Sequence, residues 1–210
     1  MTADLRQHAP ATQRNREPIL EVLKRVLPPR ATVLEVASGT GEHAVFFSSH
    51  LQPRSWLPSE FNPQLLESIK AWQKVHPCDF LYPPIRLDAQ NPPWALNGYE
   101  AEITAIVCIN MIHVSPWEVC LGLMTGAQHV LPSGGILYFY GPYKQKGEHT
   151  APSNATFDRS LRSSNPVWGV RNLEDVIEVA QAHDLRHLET IEMPANNLSV
   201  IFEKGRGDRQ

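Results

Sequence analysis

The chain predicts an α/β fold, a doubly wound seven-stranded sheet with one antiparallel strand. Three observations predict it. Apolar, β-branched runs alternate with helix-period segments from end to end. The run EITAIVCIN, residues 102–110, is nearly all apolar, as a strand covered on both faces must be. The last two strands, residues 185–193 and 198–203, are joined only by a turn at 194–197, and so short a connection makes them antiparallel.

The elements follow in order. PILEVLKRVL, residues 18–27, has apolar positions at helical spacing, with Pro18 in the first turn and Pro28-Pro29 as the stop. TVLEV, residues 32–36, is a strand. A helix opens directly from a glycine loop at Glu42 and reaches Leu51. RSWLPSE, residues 54–60, is a short strand that Pro58 pushes toward a strand end. Asn62 caps the helix PQLLESIKAWQKV, which Pro63 opens. Residues 85–87 form a short strand ending at Asp88, and the central apolar strand ends at Asn110. Ser115-Pro116-Trp117-Glu118 reads as a capping box that starts a helix running to about Leu131. ILYFYG, residues 136–141, is the next strand, followed by a helix from Asn172 to Ala182 and the closing strand pair.

A chain of 210 residues with no linker or repeat is read as one domain, 1–210. Two parts stand outside the regular pattern. The polar segment 1–17 is expected to fold over the site, and the stretch 142–171 is an insertion of the length loops reach when they serve as lids. The net charge of −3 and the scattered basic residues speak against a nucleic-acid partner. The short basic tail KGRGDRQ is read as solvated and its RGD as chance. Three cysteines without a CxxC spacing suggest neither a metal site nor a disulfide framework. With no apolar leader and no run near the ~20 residues a membrane helix needs, a cytoplasmic protein is expected, monomer or homodimer.

The loop VASGTG follows the first strand. Gly39 and Gly41 allow a sharp turn and a close backbone approach by a ligand, and the following helix offers free N–H groups. A plain tight turn is the alternative. Two ligands compete. Gly39 to Ala44 fits GxGxxA, with Glu60 about twenty residues on, as in dinucleotide sites. Glu35 to Gly41 also fits the acid-x-G/A-x-G-x-G loop that holds S-adenosyl-L-methionine (SAM), with Ala37 in the first glycine position. Glu35 inside the strand, Glu42 at the helix start and the lack of a second domain favour SAM. Successive strand ends then supply what a nucleoside needs: Glu60 for the ribose hydroxyls, Phe61 to stack on adenine, Asp88-Ala89 for the adenine amino group, and Asn110-Met111. His43 in the helix start and Arg16, toward the carboxylate of SAM, complete the expected cofactor set.

On these residues the chain resembles the class I SAM-dependent methyltransferases along nearly its whole length. More narrowly it is similar to a methyltransferase-like family, domain of unknown function 938, through PATQRNREPIL, LEVASGTGEHA, PSEFNP and SNATFDRSLRSSNPVWGVRNLEDV. The resemblance implies the fold and SAM as cofactor, and it implies no substrate.

For methyl transfer, His113, three residues beyond the fourth strand, is the candidate general base, with a structural histidine as the alternative. Asn15, Tyr140, Tyr143, Asn154, Phe157, Asp158, Arg162, Trp168 and Arg171 mix polar and aromatic groups as a substrate lid would. The expected activity is methylation of a small polar molecule. A SAM-binding regulator without turnover and, more distantly, a nicotinamide-dependent oxidoreductase are the alternatives.

Overall fold

A computed structural model describes residues 4–206. Seven strands form the main sheet in the order β3-β2-β1-β4-β5-β9-β8. They are β1 (Thr32–Val36), β2 (Ser55–Glu60), β3 (Ile85–Arg86), β4 (Ile103–Ile109), β5 (Ile136–Gly141), β8 (Leu185–Met193) and β9 (Asn197–Lys204). All pairs among the first five are parallel, and β9 runs antiparallel to both β5 and β8. The single reversed strand is therefore the last one, inserted between β5 and β8.

Helices cover both faces. α1 (Pro10–Val26) and α2 (Glu42–His50) pack on one face over Val33, Trp56, Ala105 and Tyr138. α4 (Trp117–Val130) and α6 (Leu173–Ala182) pack on the other over Leu34, Ile106, Leu137 and Phe202. α3 (Pro63–Val75) lies beside α2. β4 is buried along its middle from both sides, which explains its nearly unbroken apolar run.

Four local expectations need correction. The first helix begins at Pro10, not Pro18, and Pro18 sits inside it. Its polar first half is folded because Thr12 and Asn15 are buried against the domain. Pro58 lies within β2, not at its end. Ser55 N–H donates toward β1 and Trp56 N–H toward the opposite side, so by alternation the donor Pro58 lacks belongs to the β3 side. There β2 pairs with β3 only at Ser59 and Glu60, beyond Pro83-Pro84.

Ser115 caps nothing: α4 starts after Pro116, and the Ser115 hydroxyl donates to Met111 O at 2.8 Å. The stretch 142–171 is not irregular. It forms a small hairpin, β6 (Lys144–Gln145) and β7 (Glu148–His149), and a helix, α5 (Pro152–Ser164). The tail beyond residue 206, with most of its RGD, lies outside the described residues.

Candidate functional site

The glycine loop joins β1 to α2 and is laced to β2. Ser38 N–H donates to Ser59 O at 2.8 Å, and the Ser59 hydroxyl donates to Glu35 O at 2.8 Å. Ala37, Gly39 and Gly41 all take positive φ, at 57°, 57° and 93°. The two glycines are required for different reasons. A Cβ on Gly39 would meet no atom within 4 Å, so this backbone faces open space. A Cβ on Gly41 would stand 2.8 Å from Ile69 Cα, so that glycine lets α3 approach the loop. Gly41 is thus required by packing, whatever it offers a ligand.

Glu60 closes β2 and is buried. Its carboxylate accepts from Gly39 N–H at 2.9 Å, Phe61 N–H at 2.9 Å and Asn62 N–H at 3.0 Å. It therefore ties the loop to the end of β2 and keeps one lone pair spare on Oε2. Glu35 is placed differently from expectation. It is 2% exposed and turned into the α1–α2 face, where Trp56 Nε1–H donates to Oε2 at 3.0 Å. Burial pushes its pKa up to about 7, against the pull of that hydrogen bond. A buried carboxyl of this kind sits at the base of the loop, beside Ser38 and Glu60.

Phe61 is exposed, with the Arg86 guanidinium 5.3 Å from its ring centre. With Asp88, Asn91 and Trp94 these residues line a cleft of about 310 Å³ beyond β2 and β3. Asp88 accepts from Gln90 N–H at 3.0 Å and Asn91 Nδ2–H at 2.8 Å, which shapes the turn. Ala89 and Met111 are buried beside it in the α4-side core. Asn110, at positive φ of 62°, donates its N–H to Tyr140 O at 2.8 Å. The expected strand-end residues thus stand at the carboxyl ends of β2, β3 and β4, on the edge of the sheet where open α/β folds hold ligands.

The amino-terminal segment is tied to the loop through residues that sequence reasoning missed. Ala9 N–H donates to Glu42 Oε2 at 2.6 Å, and Gln7 N–H to Ser68 Oγ at 2.8 Å. Ser68 in turn donates to Thr40 O at 2.8 Å, inside the glycine loop. Trp72 Nε1–H donates to Gln7 O at 2.9 Å. Residues 4–9 form a strap across the start of α2 and the middle and later half of α3. Behind it, His43 Nε2–H donates to Asn15 Oδ1 at 2.8 Å, and Asn15 lies beside the Tyr140 hydroxyl. Burial pushes His43 down to about 3 and Tyr140 up to about 12. Three predicted residues from α1, α2 and β5 are thereby joined, all uncharged at neutral pH. The Arg16 guanidinium lies 4.6 Å from the Phe46 ring centre, and its buried Nε has no hydrogen-bond partner among the described residues.

His113 is corrected as a catalytic base. It is fully buried, and burial, then Arg171, push its pKa down to about 3. Arg171 N–H approaches its Nδ1 at 3.4 Å, and Gly169 N–H donates to its carbonyl at 2.9 Å. An imidazole so enclosed and so weakly basic holds the insertion in place. Tyr143 is also fully buried, edge-on to His113 with ring centres 5.1 Å apart, and is removed from any substrate surface. Asn154 is structural too, donating to Thr150 Oγ1 and Asn196 O.

The rest of the insertion is split. Asp158 is buried and accepts from Val170 N–H at 2.7 Å and Arg162 Nε–H at 3.2 Å, with Lys144 and His149 at 3.5 and 3.4 Å. Burial would raise its pKa, but these donors outweigh it and hold the carboxyl below the usual range. Asp158 is thus an internal anchor, not a substrate contact. Arg171 donates Nε–H to Ile112 O at 2.9 Å and Nη2–H to Ser115 O and Val167 O. Phe157 is exposed and Trp168 half-buried on the insertion's surface. Among the described residues no group of three or more His, Cys, Asp or Glu is arranged for a metal ion. No helix among them is long and apolar enough to cross a membrane.

Solved structures share this architecture. The SAM-dependent methyltransferase SibL, in its apo form, matches with a TM-score of 0.75 at 15% identity, over 93% of this chain and 56% of that one. An O-methyltransferase family protein from Burkholderia thailandensis matches at 0.77 and 14%, over 94% and 58%. Human N-acetylserotonin methyltransferase, solved in complex with SAM, matches at 0.75 and 13%, over 93% and 53%. The chain spans little more than half the length of these proteins, and at such identities the likeness is one of fold: the class I methyltransferase fold. A family model described as "Protein of unknown function (DUF938)" matches residues 6–204, and the chain belongs to that family.

Proposed function

We propose that the chain is a SAM-dependent methyltransferase acting on a small polar molecule. One observation carries the reading: Gly39 presents bare backbone to open space directly beside the Glu60 carboxylate, at the first strand–helix turn of this fold. A nucleoside fits that donor set. Glu60 keeps an acceptor site for a ribose hydroxyl, and Phe61 offers an exposed ring next to the cleft that Asp88 lines. Bound SAM would supply an electrophilic methyl on a sulfonium. The protein's own contribution is to orient and to exclude water, with the strap beside the loop.

The buried, uncharged His113 leaves the reading without its proton acceptor. A buried imidazole out of reach of a substrate leaves methyl transfer to positioning alone, and a SAM-binding protein without turnover is the second reading. Calorimetry with SAM, S-adenosylhomocysteine and NAD tests the cofactor: micromolar binding of the first two and none of NAD is expected. Binding of NAD alone would overturn it. Transfer of label from methyl-labelled SAM into a metabolite extract separates an enzyme from a regulator.

A further inference from the structure

A second cleft, of about 320 Å³, lies on the opposite face from the strap. It is lined by Trp117, Lys144, Arg162, Val170, Arg171, Asn172 and Asp175. We infer that it binds an oxyanion, the carboxylate or phosphate group of the methyl acceptor. That the anion belongs to an acceptor rests on the methyltransferase reading; that the cleft takes an anion does not.

The argument begins with charge. Three cations against one carboxylate, Asp175, line the cleft, so its wall is positive in a chain whose net charge is −3, while Asp158 lies beneath and Glu118 stands within reach of Arg171. Like charges brought together on a folded surface repel, and an anion between them relieves this.

Donor accounting agrees. Arg162 uses Nε on Asp158 and makes no hydrogen bond from its terminal nitrogens among the described residues. Lys144 Nζ has Asp158 alone, at the long distance of 3.5 Å. Arg171 spends Nε and Nη2 on carbonyls and keeps Nη1. Spare guanidinium and ammonium donors converging on one cleft match a carboxylate or phosphate.

The backbone holds these groups in place. Lys144 N–H donates to Arg171 O at 2.9 Å, which fixes the two cations side by side. A Cβ on Gly169 would stand 2.8 Å from both Arg162 Nη2 and Asp158 Oδ1, so a bare backbone there is what seats the guanidinium on its carboxylate. The cleft also follows β5 and adjoins the start of α4, near the carboxyl ends of β4 and β5.

The test uses inorganic phosphate and succinate as probes, with chloride at matched ionic strength, read as chemical-shift changes of the Val170, Arg171 and Asn172 amides. Saturable millimolar binding of at least one probe is expected, and which one binds tells phosphate from carboxylate. Arg162→Gln and Lys144→Gln should each raise its dissociation constant about fivefold or more. Lys24→Gln, a charge loss on the exposed surface of α1, should leave it unchanged. Shifts no larger than those with chloride, or equal in all three variants, would overturn the inference. Anion binding by a chain that fails to bind SAM would overturn the methyltransferase reading and leave the cleft standing.

Discussion

Gly39 and Gly41 stand one residue apart and answer to different partners. Both have positive φ, so a side chain at either costs roughly 1–2 kcal/mol in backbone strain. At Gly39 the added Cβ enters open space, so Gly39→Ala should fold and lose SAM affinity by about tenfold or more. At Gly41 the Cβ meets Ile69, and Gly41→Ala adds an overpacking cost, for a total of about 2–5 kcal/mol. Urea unfolding and calorimetry on the two variants separate these effects. Equal stability loss in both would mean that α3 yields to the intruding Cβ and that Gly41 is free to serve the ligand.

At the scale of elements, the strap is held by a carboxylate whose role was not legible. Glu42 reads in the sequence as a first-turn acid of α2, favourable to the helix dipole. In the fold it accepts from Ala9 N–H and Thr40 Oγ1, with His8 Nδ1 at 3.3 Å, and so couples the strap to the glycine loop. Glu42→Ala should speed hydrogen exchange of the Ala9 and Gln7 amides about tenfold, the loss of one charge-assisted hydrogen bond, while β4 and β5 stay protected. Unchanged exchange would mean that Ser68 and Trp72 hold the strap alone. Periodicity and strand alternation made the sheet, α2, α3 and α6 legible. Pro18 hid the true start of α1, because a mid-helix proline looks like a first-turn one. The Asn15–His43–Tyr140 contact joins three elements far apart in sequence, and only the assembled sheet brings them together.

For the whole molecule, three buried groups with large shifts contribute to how stability varies with pH. Burial raises Glu35 from 4.5 to about 7 when folded. The native state then holds its proton longer than the unfolded chain, so the stability present below pH 4.5 is lost as pH rises toward 7. His43 and His113 shift the other way, from 6.5 to about 3, and the stability they contribute above pH 6.5 is lost as pH falls toward 3. Glu35→Gln keeps an acceptor for Trp56 and removes the titration. It should therefore be more stable than wild type at pH 8, by about 3 kcal/mol at most, and equal to it near pH 4. Urea unfolding at both values checks this; a difference that does not change with pH would show that the carboxyl does not titrate in this range. Carboxyl and imidazole burial of this kind was not legible. Glu35 sits in an otherwise apolar strand and reads as a ligand contact, and His113 at a strand end reads as a base, because sequence shows position along a strand but not which residues an insertion will cover.

The missing donor of Pro58 reaches beyond the strand that contains it. One rim of the sheet ends in a two-residue β3 preceded by Pro83-Pro84. The other, β8, carries exposed Arg186 and Glu192 and an irregularity between His187 and Glu189. A foreign strand arriving at either rim finds absent N–H groups, charge or broken spacing where it needs a ladder. The chain is thereby protected against growing by strand addition, into fibrils or into a shared intermolecular sheet.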